Sequence, residues 1–438
     1  MNIIFGVLSK YILTILMVIY TVECFSVFRY PDEKERNGIY IRQDIAMSLI
    51  YFISFLTLFI NTGDIVLLKF YVLTQLILWA VILLYRYMYP EASKLLVNNM
   101  CMLMSVGFVI LARLNYGKAK KQFIVALISI GMAIVIPYIL KKFKRLRRFY
   151  FLLAVAGIAA LLFVLIFSTA INGSKLNIKI GGVSFQASEF VKIIFVFSMA
   201  GMLTCLKSKY RLLFATITAG LHVLLLVASK DLGSAIIFFI VYIIMVYVAT
   251  GKLMIFLTGL AGAAISSVIG YMIFSHVRVR VEAWRDPLGN IDNSGYQIAQ
   301  SLFAIGTGGF SGMGLMQGAP ERIPVVEADL IFSALSEEFG VLFGICLILV
   351  CVSCFIMFMN IAMRFNDVFY KLVAVGLAAT YGFQVFLTVG GVTKFIPLTG
   401  VTLPLVSYGS NSIMVSLIMF SVIQGLYISV RASNSQTQ

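Results

Sequence analysis

The chain has 438 residues, 61% of them hydrophobic and 12% charged, with a mean hydropathy of +1.01. No water-soluble core of this length needs so much apolar surface, so a soluble globular fold is excluded and a polytopic membrane protein is implied. The net charge of +16 is spread over short loops between apolar segments rather than gathered on one soluble face, which argues for membrane topology and against a nucleic-acid partner.

A hydrocarbon layer of about 30 Å takes roughly 20 residues of helix. Backbone in lipid must bond to itself, and the apolar segments do not alternate as barrel strands would, so the expectation is an all-α, polytopic transmembrane chain of about 13 spans. Their centres fall near Leu16, Ile53, Leu73, Leu103, Met132, Ala159, Phe197, Thr218, Val241, Gly262, Ile345, Leu377 and Met419. The first span has no small-residue cleavage site and reads as retained. Lys230-Asp231 must be a tight turn between two spans. Small residues such as Gly259 and Ala263 let helices approach closely.

The basic cluster Lys141-Lys142-Phe143-Lys144-Arg145-Leu146-Arg147-Arg148 sets the orientation as cytoplasmic. Counting spans outward puts the Lys207 to Arg211 loop, Lys252, the Arg364 to Lys371 loop and Arg431 on that same side. The 276–329 and 391–407 regions, and the N-terminus, then lie outside. The basic Arg113 to Lys121 loop also falls outside and is the main exception to the rule. The expected organisation is an additional N-terminal region over 1–94, a core over 95–431 that includes the outer loop 276–329, and a cytoplasmic tail over 432–438.

The six cysteines, Cys24, Cys101, Cys205, Cys346, Cys351 and Cys354, lie in or beside apolar runs without a zinc-ligand pattern, and read as packing residues with no disulfide. Ionisable residues within spans are more informative, because each costs about 2.5–3.5 kcal/mol at a helix centre. Glu189 and Lys192 stand three apart on one helical face. Asp231, Asp329, Glu337 and Glu338 lie near other span ends on the outer side, and their joint position points to a shared polar cavity.

Several strings occur in a recognisable order. They are Phe185-Gln-Ala-Ser-Glu-Phe-Val-Lys192, Lys230-Asp-Leu-Gly-Ser-Ala235, Gly295-Tyr-Gln-Ile-Ala-Gln-Ser301 with Ala304-Ile-Gly-Thr-Gly-Gly309, Ile323-Pro-Val-Val-Glu-Ala-Asp-Leu-Ile-Phe332, Glu337-Glu-Phe-Gly340, and Pro397-Leu-Thr-Gly-Val-Thr-Leu-Pro-Leu-Val-Ser-Tyr-Gly409. Together they resemble the SEDS (shape, elongation, division and sporulation) family of RodA, FtsW and SpoVE, over roughly Asn98 to Ser429. The resemblance implies a core of about ten spans, with about three additional ones before it.

It also implies polymerisation of peptidoglycan glycan chains from lipid II at the outer face of the bacterial cytoplasmic membrane, in elongation, division or sporulation. A sugar hydroxyl attacks the anomeric carbon of a growing chain held on undecaprenyl diphosphate, a carboxylate takes the hydroxyl proton, and cations stabilise the leaving diphosphate. Arg278, Arg280, Arg285 and Lys394 suit the last task, and Glu189, Lys192, Asp231, Asp329 and Glu337 are the candidate polar lining. The family admits a divalent cation, but this chain shows no dedicated metal site and no other cofactor is identified. No transpeptidase motif is present, so a class B penicillin-binding protein is the expected partner.

The family carries an Asp six residues before the Tyr of the GYQ string, and Asn290 stands there in this chain. An amide cannot serve as a general base. The role then passes to Asp292 or to Asp286, whose Asp286-Pro-Leu-Gly289 repeats the family's DPLG string in a displaced position, or polymerase activity is lost. A lipid-linked precursor flippase, resting on Glu189, Lys192 and Asp231, and a non-catalytic scaffold are the alternative functions.

Overall fold

The computed structural model describes residues 2–30, 33–142, 146–168, 177–180, 183–204 and 209–435. Phe143, Lys144 and Arg145 of the basic cluster, Cys205, Lys207 and the tail beyond 435 lie outside the described residues. In chain order the helices are α1 (Asn2–Arg29), α2 (Glu33–Thr62), α3 (Ile65–Met88), α4 (Lys94–Leu114), α5 (Tyr116–Lys142), α6 (Tyr150–Phe167), α7 (Ala187–Thr204), α8 (Lys209–Ala228), α9 (Leu232–Thr250) and α10 (Leu253–Ile273). There follow α11 (Ser275–Arg285), α12 (Tyr296–Gly308), α13 (Ile331–Phe339), α14 (Val341–Met363), α15 (Val368–Val392) and α16 (Ser410–Ser435). A short antiparallel hairpin, β1 (Ile178–Ile180) with β2 (Val183–Phe185), precedes α7.

Among the described residues thirteen helical segments are long and apolar enough to cross a membrane, and every expected centre falls inside one of them. The turn at Lys230-Asp231 is as tight as expected, with Lys230 in the left-handed region at φ 63° and Asp231 capping α9 by accepting from the Ser234 N–H. The remaining α-helices, α11, α12 and α13, are too short to span, and they give the outer loop a helical scaffold of its own.

The chain divides into two compact units. The first comprises residues 1–132, 282–354 and 385–413. Its centre is α4, in which every residue from Leu95 to Ala112 is buried, as a helix apolar on all sides requires. α2 and α3 pack on α4, and α1 packs on α2. At Gly107 the α4 backbone runs so close to the 405–406 loop that a Cβ would stand 2.7 Å from the Val406 carbonyl oxygen.

Polar side chains key the additional N-terminal spans to this centre. Tyr20 Oη and Cys24 Sγ donate to Asn99 Oδ1 at 3.0 and 3.1 Å, and Asn99 Nδ2 donates to Ser353 Oγ at 2.7 Å. Arg86 pairs with buried Asp44 at 2.6 Å. Apolar surface gives helices in lipid little reason to associate, so bonds and close packing of this kind fix which helix lies where.

The second unit comprises residues 133–281, 355–384 and 414–438. α6, α7, α8 and α9 pack on one another, and α10 lies against α9. Gly259 sits at that contact, where a Cβ would come within 2.7 Å of Ile243. The cysteines at 24, 101, 346, 351 and 354 are buried free thiols.

The alternation of spans and the exposure of Ser294 and Arg148 make orientation testable. In intact spheroplasts a Ser294→Cys chain should react with an impermeant thiol reagent, and an Arg148→Cys chain should react only after lysis. The reverse pattern would overturn the orientation.

Candidate active site

α11 ends at Arg285 and the chain then folds into a compact loop that returns to α12. Asp286 Oδ1 accepts from the Gly289 N–H at 2.9 Å, and Asn290 Nδ2 donates to the Asp286 carbonyl at 2.8 Å. The Asn290 carbonyl in turn accepts from the N–H groups of Asn293 and Gly295 at 3.1 and 3.0 Å. Only glycine fits at 295, where a Cβ would lie 2.4 Å from the Pro287 carbonyl oxygen. Trp284 Nε1 donates to the Lys394 carbonyl at 3.0 Å, tying the loop to the turn after α15.

These bonds separate the candidate carboxylates. Asp286 spends one oxygen closing its own turn, whereas Asp292 is exposed and has no bonding partner among the described residues. Asn290 is the clasp of the loop. Its amide N–H bond is one that a carboxylate could not make.

A second group of polar residues gathers at the α4–α5 end of the first unit. Arg113, at the end of α4, donates through Nε to Glu338 Oε1 at 2.8 Å and through Nη2 to the Gly318 carbonyl at 3.2 Å, with Glu321 Oε2 at 3.3 Å. Glu338 is fully buried, and its Oε2 has no partner among the described residues. Glu337 is also buried, and it accepts from the Ala319 N–H at 2.9 Å. Lys118 on α5 pairs with Glu327, whose carbonyl accepts from the Tyr408 N–H. Gln122 grips the same loop, donating to the Ser407 carbonyl and accepting from the Gly409 N–H.

The intramembrane charges of the second unit come together as their spacing predicts. Lys192 Nζ lies 2.9 Å from Glu189 Oε2 and donates to Gln384 Oε1 at 3.1 Å. Asp231 Oδ2 accepts from Ser188 Oγ at 2.7 Å while its Oδ1 caps α9. Glu189, Lys192 and Asp231 therefore belong to the second unit, and Asp329 and Glu337 belong to the first.

The outer cations differ in their freedom. Arg278 Nη2 donates to the Met272 carbonyl at the end of α10. Arg280 has partners of its own and, with Lys230 and burial, holds the His276 imidazole below its usual range, with burial the larger cause. Arg285 is exposed without a partner among the described residues. Lys394 is half-buried, its Nζ likewise unbonded among them, and its backbone is in the left-handed region at φ 60°. Such a conformation in a non-glycine residue persists only where the surroundings impose it. Among the described residues no three His, Cys, Asp or Glu side chains form a metal-ligand set.

Arg113, Gln122 and Glu327 were missed as site residues. Their signal was the basic Arg113 to Lys121 loop, the exception to the expected topology, whose charges needed acidic partners.

Burial pushes the Glu338 carboxyl up to about 7, the Arg113 charge opposing. The native state then holds a proton that the unfolded chain releases, so the stability from this group is present below the ordinary carboxyl range and is lost as pH rises through about 7. Unfolding measured from about pH 5 to 8 should show stability falling with pH, and Glu338→Gln should flatten that fall. Equal slopes in the two proteins would contradict the assignment.

Residues 86–432 match the family of FtsW, RodA and SpoVE cell cycle proteins. The chain is 30% identical over 369 residues to the peptidoglycan glycosyltransferase RodA of Mycobacterium tuberculosis, covering 76% of this chain and 77% of that protein. It is 32% identical over 265 residues to the stage V sporulation protein E of Bacillus subtilis, covering 58% of this chain and 71% of that protein. Among solved structures it resembles a chain of a peptidoglycan synthase complex, with a TM-score of 0.65, 22% identity, and coverage of 77% of this chain and 98% of that one. This chain, with its all-helical spanning core and its ordered outer loop, belongs to the FtsW/RodA/SpoVE family of membrane proteins.

Proposed function

We propose that this protein polymerises glycan chains from lipid II at the outer face of the bacterial cytoplasmic membrane, with Asp292 as general base. The observation that carries the reading is an exposed, unbonded carboxylate on a loop pinned by its own hydrogen bonds and by Trp284. Fixing the loop while leaving one carboxylate free presents a proton acceptor without first breaking a structural bond. The family and the names of the relatives support the substrate class.

In this reading the acceptor hydroxyl of lipid II loses its proton to Asp292 as its oxygen forms a bond to the anomeric carbon of the growing chain. The bond from that carbon to the diphosphate oxygen breaks, and undecaprenyl diphosphate leaves with the electron pair. Lys394 and Arg285, the cations with no partner to give up, stabilise the developing charge, and Arg278 and Arg280 add positive potential. Asp329 and Glu337 brace the polar region of the first unit, and Glu189, Lys192 and Asp231 form a polar group within the second. Crosslinking the product falls to a separate transpeptidase, for which a class B penicillin-binding protein is the fitting partner. The similar synthase complex is described as coordinating polymerisation with crosslinking.

The test is lipid II polymerisation by the purified protein with its cognate partner. Asp292→Asn should lower the rate by about 10²–10⁴, the usual worth of a general base, with expression and partner binding intact. Asp286→Asn should cost less, because it keeps an acceptor oxygen for Gly289. Asn290→Asp combined with Asp292→Asn should recover only part of the rate, since the new carboxylate cannot donate to Asp286. Full activity in Asp292→Asn would pass the role to Asp286. Full activity with both aspartates changed would leave a flippase or a scaffold.

A further inference from the structure

Residues 1–85 lie outside the family match, and one charged residue of that segment reaches the outer side of the first unit. Lys10 is the only charged residue of α1 before Glu23. A lysine in a span is costly and calls for a partner. Its Nζ donates to the Gly312 carbonyl at 3.1 Å.

Gly312 lies in a glycine-rich tract with few bonds of its own, Gly312 N–H to the Gly308 carbonyl and Gln317 N–H to the Gly314 carbonyl among them. Gly309, Gly312 and Gly314 have positive φ, as does Met316, and glycine loses the most conformational freedom when ordered. The Met313 and Gly314 N–H groups donate to the carbonyls of Glu337 and Glu338, both at 2.9 Å. At Gly312 (φ 78°) a Cβ would stand 2.4 Å from the Glu338 carbonyl oxygen. At Gly318 a Cβ would lie 3.1 Å from the Glu337 carboxyl and from Glu338 Cγ. The tract is thus bonded to α13 through its N–H groups, to the start of α14 through the Gly309 and Phe310 carbonyls, to Arg113 through the Gly318 carbonyl and to α1 through the Gly312 carbonyl, and Gly318 lies against the Glu337 carboxyl and Glu338 Cγ. Gly6, one turn before Lys10, adds its backbone oxygen beside Gly314.

We infer that α1 is a positioning element for the outer face, with Lys10 holding the 309–318 tract against α13 so that Glu338 stays dry beside Arg113. The charged groups around Glu338 are Arg113 from α4, Glu337 on its own helix, Glu321 next to Arg113, and Lys10 across the tract. The inference concerns the placement of the tract and does not require the loop at 286–295 to be catalytic.

Hydrogen exchange on the full-length protein in detergent tests it. Lys10→Met should speed exchange of the Met313 and Gly314 amides by about tenfold through local opening, with α9 amides unchanged as the folding control. Lys10→Arg, which keeps a cationic donor, should restore protection. In Lys10→Met the pH midpoint of the Glu338-dependent stability should also move down, as water reaches the carboxyl. If Lys10→Met does not fold, Lys10→Gln, polar but too short to reach the carbonyl, takes its place. Unchanged exchange in the neutral variant, or equal loss in Lys10→Arg, would overturn the inference. Lipid II turnover, measured in parallel, should fall in kcat with little change in KM. Absence of turnover in the unaltered protein would count against the proposed polymerase and leave the exchange result standing.

Discussion

A half-buried guanidinium bonded to a fully buried carboxyl at the end of a membrane helix governs much of the first unit. Arg113 closes α4, the fully buried centre of that unit, and Glu338 lies on α13, 225 residues away in sequence. The carboxyl has no water to fall back on, and the guanidinium is only partly exposed. Removing one partner of such a pair leaves the other stranded, at about 3–5 kcal/mol, so α4 and α13 are locked in register. The same guanidinium also reaches the Gly318 carbonyl and Glu321. That one side chain therefore ties the segment between α12 and α13 to the end of α4.

This pairing also accounts for the loop that breaks the charge rule. α5 begins with Lys118, Lys120 and Lys121, unfavourable both for an outer loop and for the positive end of a helix dipole. Compensation is local. Asn115 Oδ1 accepts from the Lys118 N–H, Glu327 takes the Lys118 ammonium, and Glu321 and Glu338 take Arg113. Several polar residues in the recognisable strings serve as clasps in the same way. Ser301 bonds Ser333 and the Val392 carbonyl, and Ser407 accepts from the Leu403 N–H. In the proposed mechanism the chemistry falls to charged groups that no clasp consumes, Asp292 and Lys394 foremost.

The spans were legible in the sequence because hydropathy reports directly on what lipid demands, and all expected centres lie in helices. The Glu189–Lys192 pair was legible because three residues on a helix make neighbours. The outer loop was not. Val277-Arg-Val-Arg-Val281 alternates with the period of a strand yet lies in α11, and Glu337-Glu338, expected at a span end beside a polar cavity, are buried on the short helix α13. Both outcomes depend on contacts far along the chain, which local pattern cannot carry. Asn290 was read as the loss of a carboxylate, and its structural gain, the amide bond to Asp286, follows from loop geometry alone.

The partly exposed Arg113, the buried Glu338 and the Gly318 end of the glycine tract thus meet in one contact, the coupling between Arg113 and Glu338. A double-mutant cycle in the purified protein measures it directly. Arg113→Met and Glu338→Leu should each destabilise strongly, and the double variant should lose less than the sum, with a coupling of about 0.5–3 kcal/mol. Additive losses would mean that the two side chains act independently, and the account of the outer face would fail.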